Sequence, residues 1–391
     1  MVARSLNTQK EGSIMSKLGY LVSQYPAISH TFVFREVEGL RALGLEIKTA
    51  SINPGEALLD SEKEEREKTF VVKKGSPFVV FKRPIRFINT LTKAFFRLGF
   101  NLKTLFYSVE AAILEEWCKK NEIFHLHVHF ANPAATVALI HYWLSGIPYS
   151  ITIHGPDEFY DCTLNHLKLK FEEAKFLIAI SHYTKSQILK IANVPVEVIP
   201  LGINLEQYPF TVHHPSSPLK LLSVGRLHHN KGFKTLIEAC KGLDVLLTII
   251  GEGPERKELE KMADNNIIFK GALNRDEVKR AYENHDAFVL ASYAEGLPVV
   301  LMEAMASGIP VITTTVNAIT ELVDNGKTGL LVPPANPRML KEAILYAMHN
   351  QEEIEKMTSR ARKKVEADFN LDTNLNKLAA YMREKICSSS S

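Results

Sequence analysis

Cysteine is scarce in this chain. Its 391 residues hold four, Cys118, Cys162, Cys240 and Cys387, all far apart. No CxxC pair occurs, so neither a zinc cluster nor a disulfide framework is indicated. A reducing cytoplasm is the expected compartment. Long apolar runs are missing as well. None approaches the ~18–20 residues of a membrane span. The opening "MVARSLNTQKEGSI" lacks the apolar core of a secretory signal, and Met15 offers a second start. An excess of one charge is also lacking. The net charge of +3 is too small to point to nucleic acid.

The composition present, 46% hydrophobic and 23% charged, is that of a soluble globular protein. The length exceeds one compact core, so two or three domains are expected. "LGYLVS" reads as a buried strand. The helix candidate "TFVFREVEGLRALG" follows, with Gly44 as its stop. "LEIKTASI", "FHLHVHF", "YSITIH", "FLIAIS" and "VEVIP" then alternate with helical stretches. "YPFTVHHPSSP" (208–218) reads as a linker. The pattern restarts with "LKLLSVG", "VLLTIIG", "IIFKG", "AFVLAS", "PVITT" and "GLLVPP". Strands alternating with helices imply βαβ units and parallel sheets. The fold class is therefore α/β, with two Rossmann-like domains facing a central cleft. A ligand belongs at the C-terminal ends of their strands.

The stretch from Val71 to Lys103 carries eight Lys or Arg and no Asp or Glu. Ile88, Leu91, Phe95, Leu98, Leu102 and Leu105 share one face of a helix over about 82–106. Arg86, Lys93 and Arg97 lie on nearly the opposite face. Two readings stand. Such a helix can lie on an anionic membrane surface, or pack its apolar face inward. No aromatic-basic platform accompanies it, so nucleic acid is not expected as a partner.

Three stretches of the second half bear on what the cleft would hold. In "SVGRLHHNKGFKTLIEA" a strand ends at Gly225, Arg226 follows, and Lys231 precedes a helix. Two cations beside a helix N-terminus suit a diphosphate, though an exposed basic turn has the same pattern. "IIGEGP" is a short GxG without the third glycine of a dinucleotide fingerprint. In "AFVLASYAEGLPVVLMEAMASG" a strand runs into a loop holding Glu295. Pro298 suits the start of a helix, which places Glu303 about one turn inside. The N–H groups of Val299 and Val300 are then free for phosphates, and the carboxylates face hydroxyls.

At these residues the chain resembles a retaining glycosyltransferase of family 4, with the GT-B fold. The Glu-x7-Glu of Glu295 and Glu303 carries the resemblance, with "VGRLHHNKG", "IIGEGP" and "NGKTGLLVPP" in the expected order. "GYLVSQYPAISHTFVFREVEGL" and "HLHVHFA" resemble the exopolysaccharide branch, including colanic-acid-type transferases. The resemblance implies a first domain over 15–205 and a second, nucleotide-sugar-binding domain over 206–367. A C-terminal helix, about 368–387, would cross back onto the first. Glu295 would hold the donor sugar and Glu303 the ribose. Arg226 and Lys231 would hold the diphosphate, with Gly225, Val299 and Val300 beside them. The base would lie near Phe269–Gly271, which brings in Lys270. His154, in "TIHG", would face the anomeric centre. A Glu is common in related enzymes where this chain has His30, and the usual glycine pair after the first strand is absent. Ser29, His30, His129, Asn132 and Asp157 are the acceptor-side candidates.

The expected donor is a UDP- or GDP-sugar, and the acceptor a glycan or lipid-linked oligosaccharide at the inner membrane face. No cofactor is expected. Arg226 and Lys231 can replace a metal, and no DxD-like motif is present. His125, His127 and His129 share one strand face, a geometry that a metal or plain packing would both use. Without a carboxylate cluster in sequence, no metal is expected there. A nucleotide-sugar epimerase or hydrolase of the same fold is the alternative. A non-catalytic binder is a third class, disfavoured by the intact Glu295, Glu303, Arg226 and Lys231.

Overall fold

The computed structural model describes residues 17–27, 31–56, 60–161, 163, 166–213 and 215–387. Ser29 and His30 lie outside them, as do residues 1–16 with the alternative start.

Two parallel sheets organise the chain. The first contains β1 (Lys17–Gln24), β2 (Ile47–Asn53), β3 (Phe70–Val71), β4 (Ile123–His129), β5 (Tyr149–Ile153), β6 (Phe176–Ala179) and β7 (Val196–Val198). Its order is β3-β2-β1-β4-β5-β6-β7. The second contains β8 (Leu219–Val224), β9 (Val245–Ile250), β10 (Ile267–Gly271), β11 (Ala287–Leu290), β12 (Val311–Thr314) and β13 (Leu330–Val332). Its order is β10-β9-β8-β11-β12-β13. Helices cover both faces of each sheet, so central strands such as β5 and β11 are buried throughout. Strand order reverses between β1 and β4, and again between β8 and β11. Crevices open at the strand ends beside such reversals.

The cores explain how the chain ends. Tyr20, Val22, Val37 and Leu40 share one cluster with Leu375, Leu378 and Met382 of helix Leu371–Cys387. The last helix thus closes the first domain, each of its large buried side chains contributing about 1.5–3 kcal/mol. Between the domains, Ile180, Ile203 and Tyr208 join a cluster with Leu290 and Leu301. A second tie is polar. Glu321 accepts the N–H groups of His182 (2.8 Å) and Tyr183 (2.7 Å), at the first turn of helix His182–Ile191.

The single helix expected over 82–106 is two. Pro84–Leu98 ends at Gly99, whose φ of +95° is left-handed. Leu102–Lys120 begins under the Asn101 cap, which accepts the Thr104 N–H at 3.0 Å. The apolar face also divides. Thr90, Ala94 and Leu98 are buried, while Ile85, Ile88, Phe96, Phe100, Leu102 and Phe106 stand exposed. No helix of the described residues is long and apolar enough to cross a membrane.

Candidate active site

β8 and β11 are neighbours, so the loops after them meet. The β8 loop carries Gly225, Arg226 and the short turn His229–Lys231. Gly232 follows at φ +65°, and a Cβ there would stand 1.9 Å from the Ala291 carbonyl oxygen. Only glycine lets the turn approach β11 this closely. The result is a contact between loops. Lys231 Nζ donates to Glu295 Oε1 at 2.6 Å, and Ser292 Oγ donates to the same oxygen at 2.7 Å. The Glu295 N–H donates to Asn317 Oδ1 at 3.1 Å. Glu295 is buried, and Gly225 lies beside the Lys231 stem. Arg226 is exposed and has no protein partner among the described residues.

Helix Val299–Ser307 starts after Pro298, and its first bond is Leu301 N–H to Pro298 O at 3.1 Å. Val299 and Val300 therefore keep N–H groups without intrahelical partners. Glu303, deeper in the helix, is buried. It accepts Tyr208 Oη at 2.7 Å on Oε1 and Tyr282 Oη at 3.2 Å on Oε2. Burial and the Glu303 charge raise the pKa of both phenols, so they stay donors. Arg35 reaches Glu303 Oε1 from the first domain, at 3.5 Å. The two glutamates thus have separate sets of partners, one before the helix start and one inside the helix. Lys270 is exposed on edge strand β10 and makes no ion pair with either glutamate.

The first domain contributes a chain of buried polar groups. His154, after β5, brings Nε2 to 2.9 Å from His129 Nδ1. His129 Nε2 lies 3.2 Å from Glu36 Oε1, close but poorly aligned for a hydrogen bond. Tyr20 Oη donates to the same Glu36 oxygen at 3.0 Å. Phe32 and Phe130 pack against the His154 ring, at 4.8 and 4.5 Å between centroids. A carboxylate does accompany the strand histidines, contrary to the expectation from sequence. Ligand atoms of Glu36, His127 and His129 lie within 4.8 Å of one another. Both His127 nitrogens are already engaged, with Ser150 Oγ at 2.8 Å and Thr152 Oγ1 at 3.0 Å. Burial holds His127 far below its ordinary pKa and lowers His125 to about 3. Asn132 caps helix Pro133–Ser145: its Oδ1 accepts the Ala134 N–H at 3.0 Å and Ser23 Oγ at 2.8 Å. Asp157 is exposed in the turn Pro156–Phe159.

The two halves meet through Gly296, whose backbone lies against Gly155 and the His154 carbonyl. This brings the Glu295 loop beside His154.

Family models cover both domains. Residues 30–207 match the Glycosyltransferase Family 4 model, and residues 206–364 match Glycosyl transferases group 1. The chain belongs to the family 4 glycosyltransferases. The chain is 31% identical over 254 residues to a putative colanic acid biosynthesis glycosyltransferase of Escherichia coli (strain K12). That match spans 59% of the chain and 63% of the relative's length. It is 26% identical over 406 residues to the amylovoran biosynthesis glycosyltransferase of Erwinia amylovora, spanning 94% of the chain and 99% of the relative. Its GT-B fold is shared with sucrose-phosphate synthase from Thermosynechococcus elongatus (TM-score 0.77, 19% identity, 96% and 100% of the two chains). An Anabaena protein solved with UDP and glucose also shares it (TM-score 0.75, 17% identity, 94% and 100%).

Sequence reasoning missed four charged residues of this glycosyltransferase. Arg35 and Glu36 sit on helix Thr31–Ala42, where an adjacent Arg-Glu looks like a solvated helix face. Both are on the cleft side instead. Glu158 and Lys170 were also missed. Glu158 Oε1 accepts the N–H groups of His154 (2.6 Å) and Gly155 (3.2 Å), and Oε2 accepts that of Ala131 (2.5 Å). Lys170 Nζ donates to the carbonyls of Ala131 (2.8 Å) and Asn132 (3.2 Å). Part of Glu158 reaches the surface, but its carboxylate is enclosed, and this desolvation raises its pKa to about 7. Burial lowers Lys170 to about 7. Together they clamp the turn after β4, where Phe130 holds a left-handed φ of +71°. The sequence signal was faint: a Glu four residues after His154 in a loop.

Proposed function

We propose that this protein is a retaining hexosyltransferase. It moves a sugar from a UDP- or GDP-sugar to a glycan acceptor, carried on lipid, in the synthesis of exopolysaccharide or another cell-surface polysaccharide. The observation that carries this reading is the Lys231–Glu295 pair, with unpartnered Arg226 and the amides of Val299 and Val300 at neighbouring loop ends. In the free protein Lys231 neutralises Glu295. When the donor arrives, its diphosphate takes Lys231, and Glu295 turns to the sugar hydroxyls.

In this reading the bond from the anomeric carbon to phosphate oxygen breaks as the bond to the acceptor oxygen forms on the same face. The acceptor's proton passes to the departing phosphate. Arg226, Lys231 and the helix start stabilise the growing negative charge, which is where rate is gained. These cations supply the charge that other transferases draw from a metal. His154 lines the opposite wall, beside the sugar. The names of the Escherichia coli and Erwinia relatives support the polysaccharide setting, and the Anabaena protein's UDP and glucose support a uridine donor.

A lipid-borne acceptor and an inner-face location are supported by the surface over 78–106. Among the described residues, eight of the 14 exposed large hydrophobics fall there, with Phe96 87% and Phe100 86% exposed. Lys82, Arg83, Arg86, Lys93, Arg97 and Lys103 flank them. Exposed apolar side chains interleaved in sequence with cations suit an anionic membrane.

The test is nucleotide release from a panel of UDP- and GDP-sugars, with and without a lipid-linked oligosaccharide extract, followed by linkage analysis. Release that depends on acceptor, with the anomeric configuration kept, is expected. Equal release without acceptor would favour a hydrolase. Unchanged transfer by Glu295→Ala would remove the site assignment.

A further inference from the structure

Arg35 has more hydrogen-bonding capacity than the protein uses. Its side chain is 9% exposed. A guanidinium offers five N–H donors. Only Nη2 has a partner, Glu303 Oε1, and at 3.5 Å that contact is loose. Nε and Nη1 have none in the structure. Glu303 does not need Arg35, because Tyr208 and Tyr282 already donate to its two oxygens. A buried cation with idle donors is costly unless something else takes them.

The surroundings are rich in positive charge. Arg275 opens helix Arg275–Glu283 and also has an unpartnered Nε. Lys279 Nζ lies 5.8 Å from the centre of the Tyr208 ring. Arg35, Arg275 and Lys279 therefore all stand near Tyr208, with Lys279 also 3.5 Å from Asp276 Oδ1.

We propose that Arg35 is a phosphate-binding residue, supplied to the nucleotide by the first domain. This rests on the donor reading above, in which Glu303 takes the ribose hydroxyls. The phosphate next to that ribose then falls within reach of the planar Arg35 fork, which suits phosphate oxygens. Arg226 and Lys231 hold the diphosphate from the second domain, and Arg35 holds it from the first. Donor binding thereby ties the domains together.

The test compares wild type, Arg35→Gln and Arg35→Lys in the full chain, titrated with UDP, GDP, uridine and guanosine by ligand-observed NMR. For whichever diphosphate binds, Arg35→Gln should weaken it about tenfold or more. The matching nucleoside should change less than about twofold, and Arg35→Lys should recover part of the loss. Equal losses for nucleoside and diphosphate would make Arg35 a structural tie to Glu303 and overturn the proposal. No loss for either, or a raised acceptor KM with diphosphate binding intact, would overturn it too. The last result would assign Arg35 to an acceptor phosphate. If wild type bound neither diphosphate, the donor reading itself would fail. If wild type and Arg35→Gln bound one equally, only the Arg35 assignment would fail.

Discussion

Gly296 packs its backbone against the carbonyl of His154. A Cβ on Gly296 would stand 2.1 Å from that oxygen, with no room to yield. One residue belongs to the second domain's Glu295 loop and the other to the first domain's strand end. Their contact holds the Glu295 loop against the first domain. Gly296→Ala should hold the domains apart, lowering transfer by roughly a hundredfold, since small misplacements at a reacting centre cost about that much. Each domain keeps its own core, so the melting temperature should shift by only about 2–4 °C. Full transfer activity with an unchanged melt would show that the contact is not needed.

Lys231 and Glu295 pair in the free protein and, in the proposed complex, grip one donor whose placement needs both, so their substitutions should not add. Lys231→Ala should lower kcat about 10²–10³-fold, through the lost charge at the leaving diphosphate. The double variant with Glu295→Gln should be little worse than the weaker of the two singles. Losses that multiply would mean that the two side chains act independently.

Lys170 gives a pH signature. Its folded pKa is lowered to about 7, against an ordinary value of 10.5. Between those values the unfolded chain binds the extra proton, so the Lys170 contribution rises with pH and falls away as pH drops toward 7. The slope is at most about 1.4 kcal/mol per pH unit. Urea titrations from pH 7 to 10 should show wild type gaining stability relative to Lys170→Met as pH rises. A constant gap would mean that Lys170 titrates alike in both states.

The exposed apolar stripe should govern membrane association. Phe96→Ser with Phe100→Ser should weaken binding to anionic vesicles at least about tenfold, because each side chain loses burial of about 1.5–3 kcal/mol. Reversing Arg86, Lys93 and Arg97 should weaken binding to anionic vesicles and leave neutral ones unaffected. Sedimentation that ignores both sets would remove the membrane from the function. Neither set touches the cleft, so transfer to a soluble acceptor should persist.

Much of the fold was legible along the chain. Buried parallel strands are continuous apolar runs, and the linker is marked by Pro and Ser. The loops of the candidate site are legible for a similar reason. Gly225, Arg226, Lys231, Glu295 and Glu303 lie in short segments tied to strand ends and helix starts, and local rules place them. The apolar spacing continues through Gly99, so period alone does not show the helix break there. It also leaves both readings of the apolar face open, because period cannot say which neighbour a helix meets.

The charges of the first domain show the remaining boundary. Arg35 and Glu36 are adjacent in sequence, yet one meets Glu303 in the second domain and the other meets His129. Glu158 and Lys170 close on the same turn from two different elements. The sequence by itself determined two α/β domains, the family and the strand-end loops proposed to hold the donor, since those follow from local periodicity and backbone requirements. Only the tertiary structure decided which buried charges face the cleft and which apolar face looks outward. Both depend on partners far apart in the chain, and no local pattern records them.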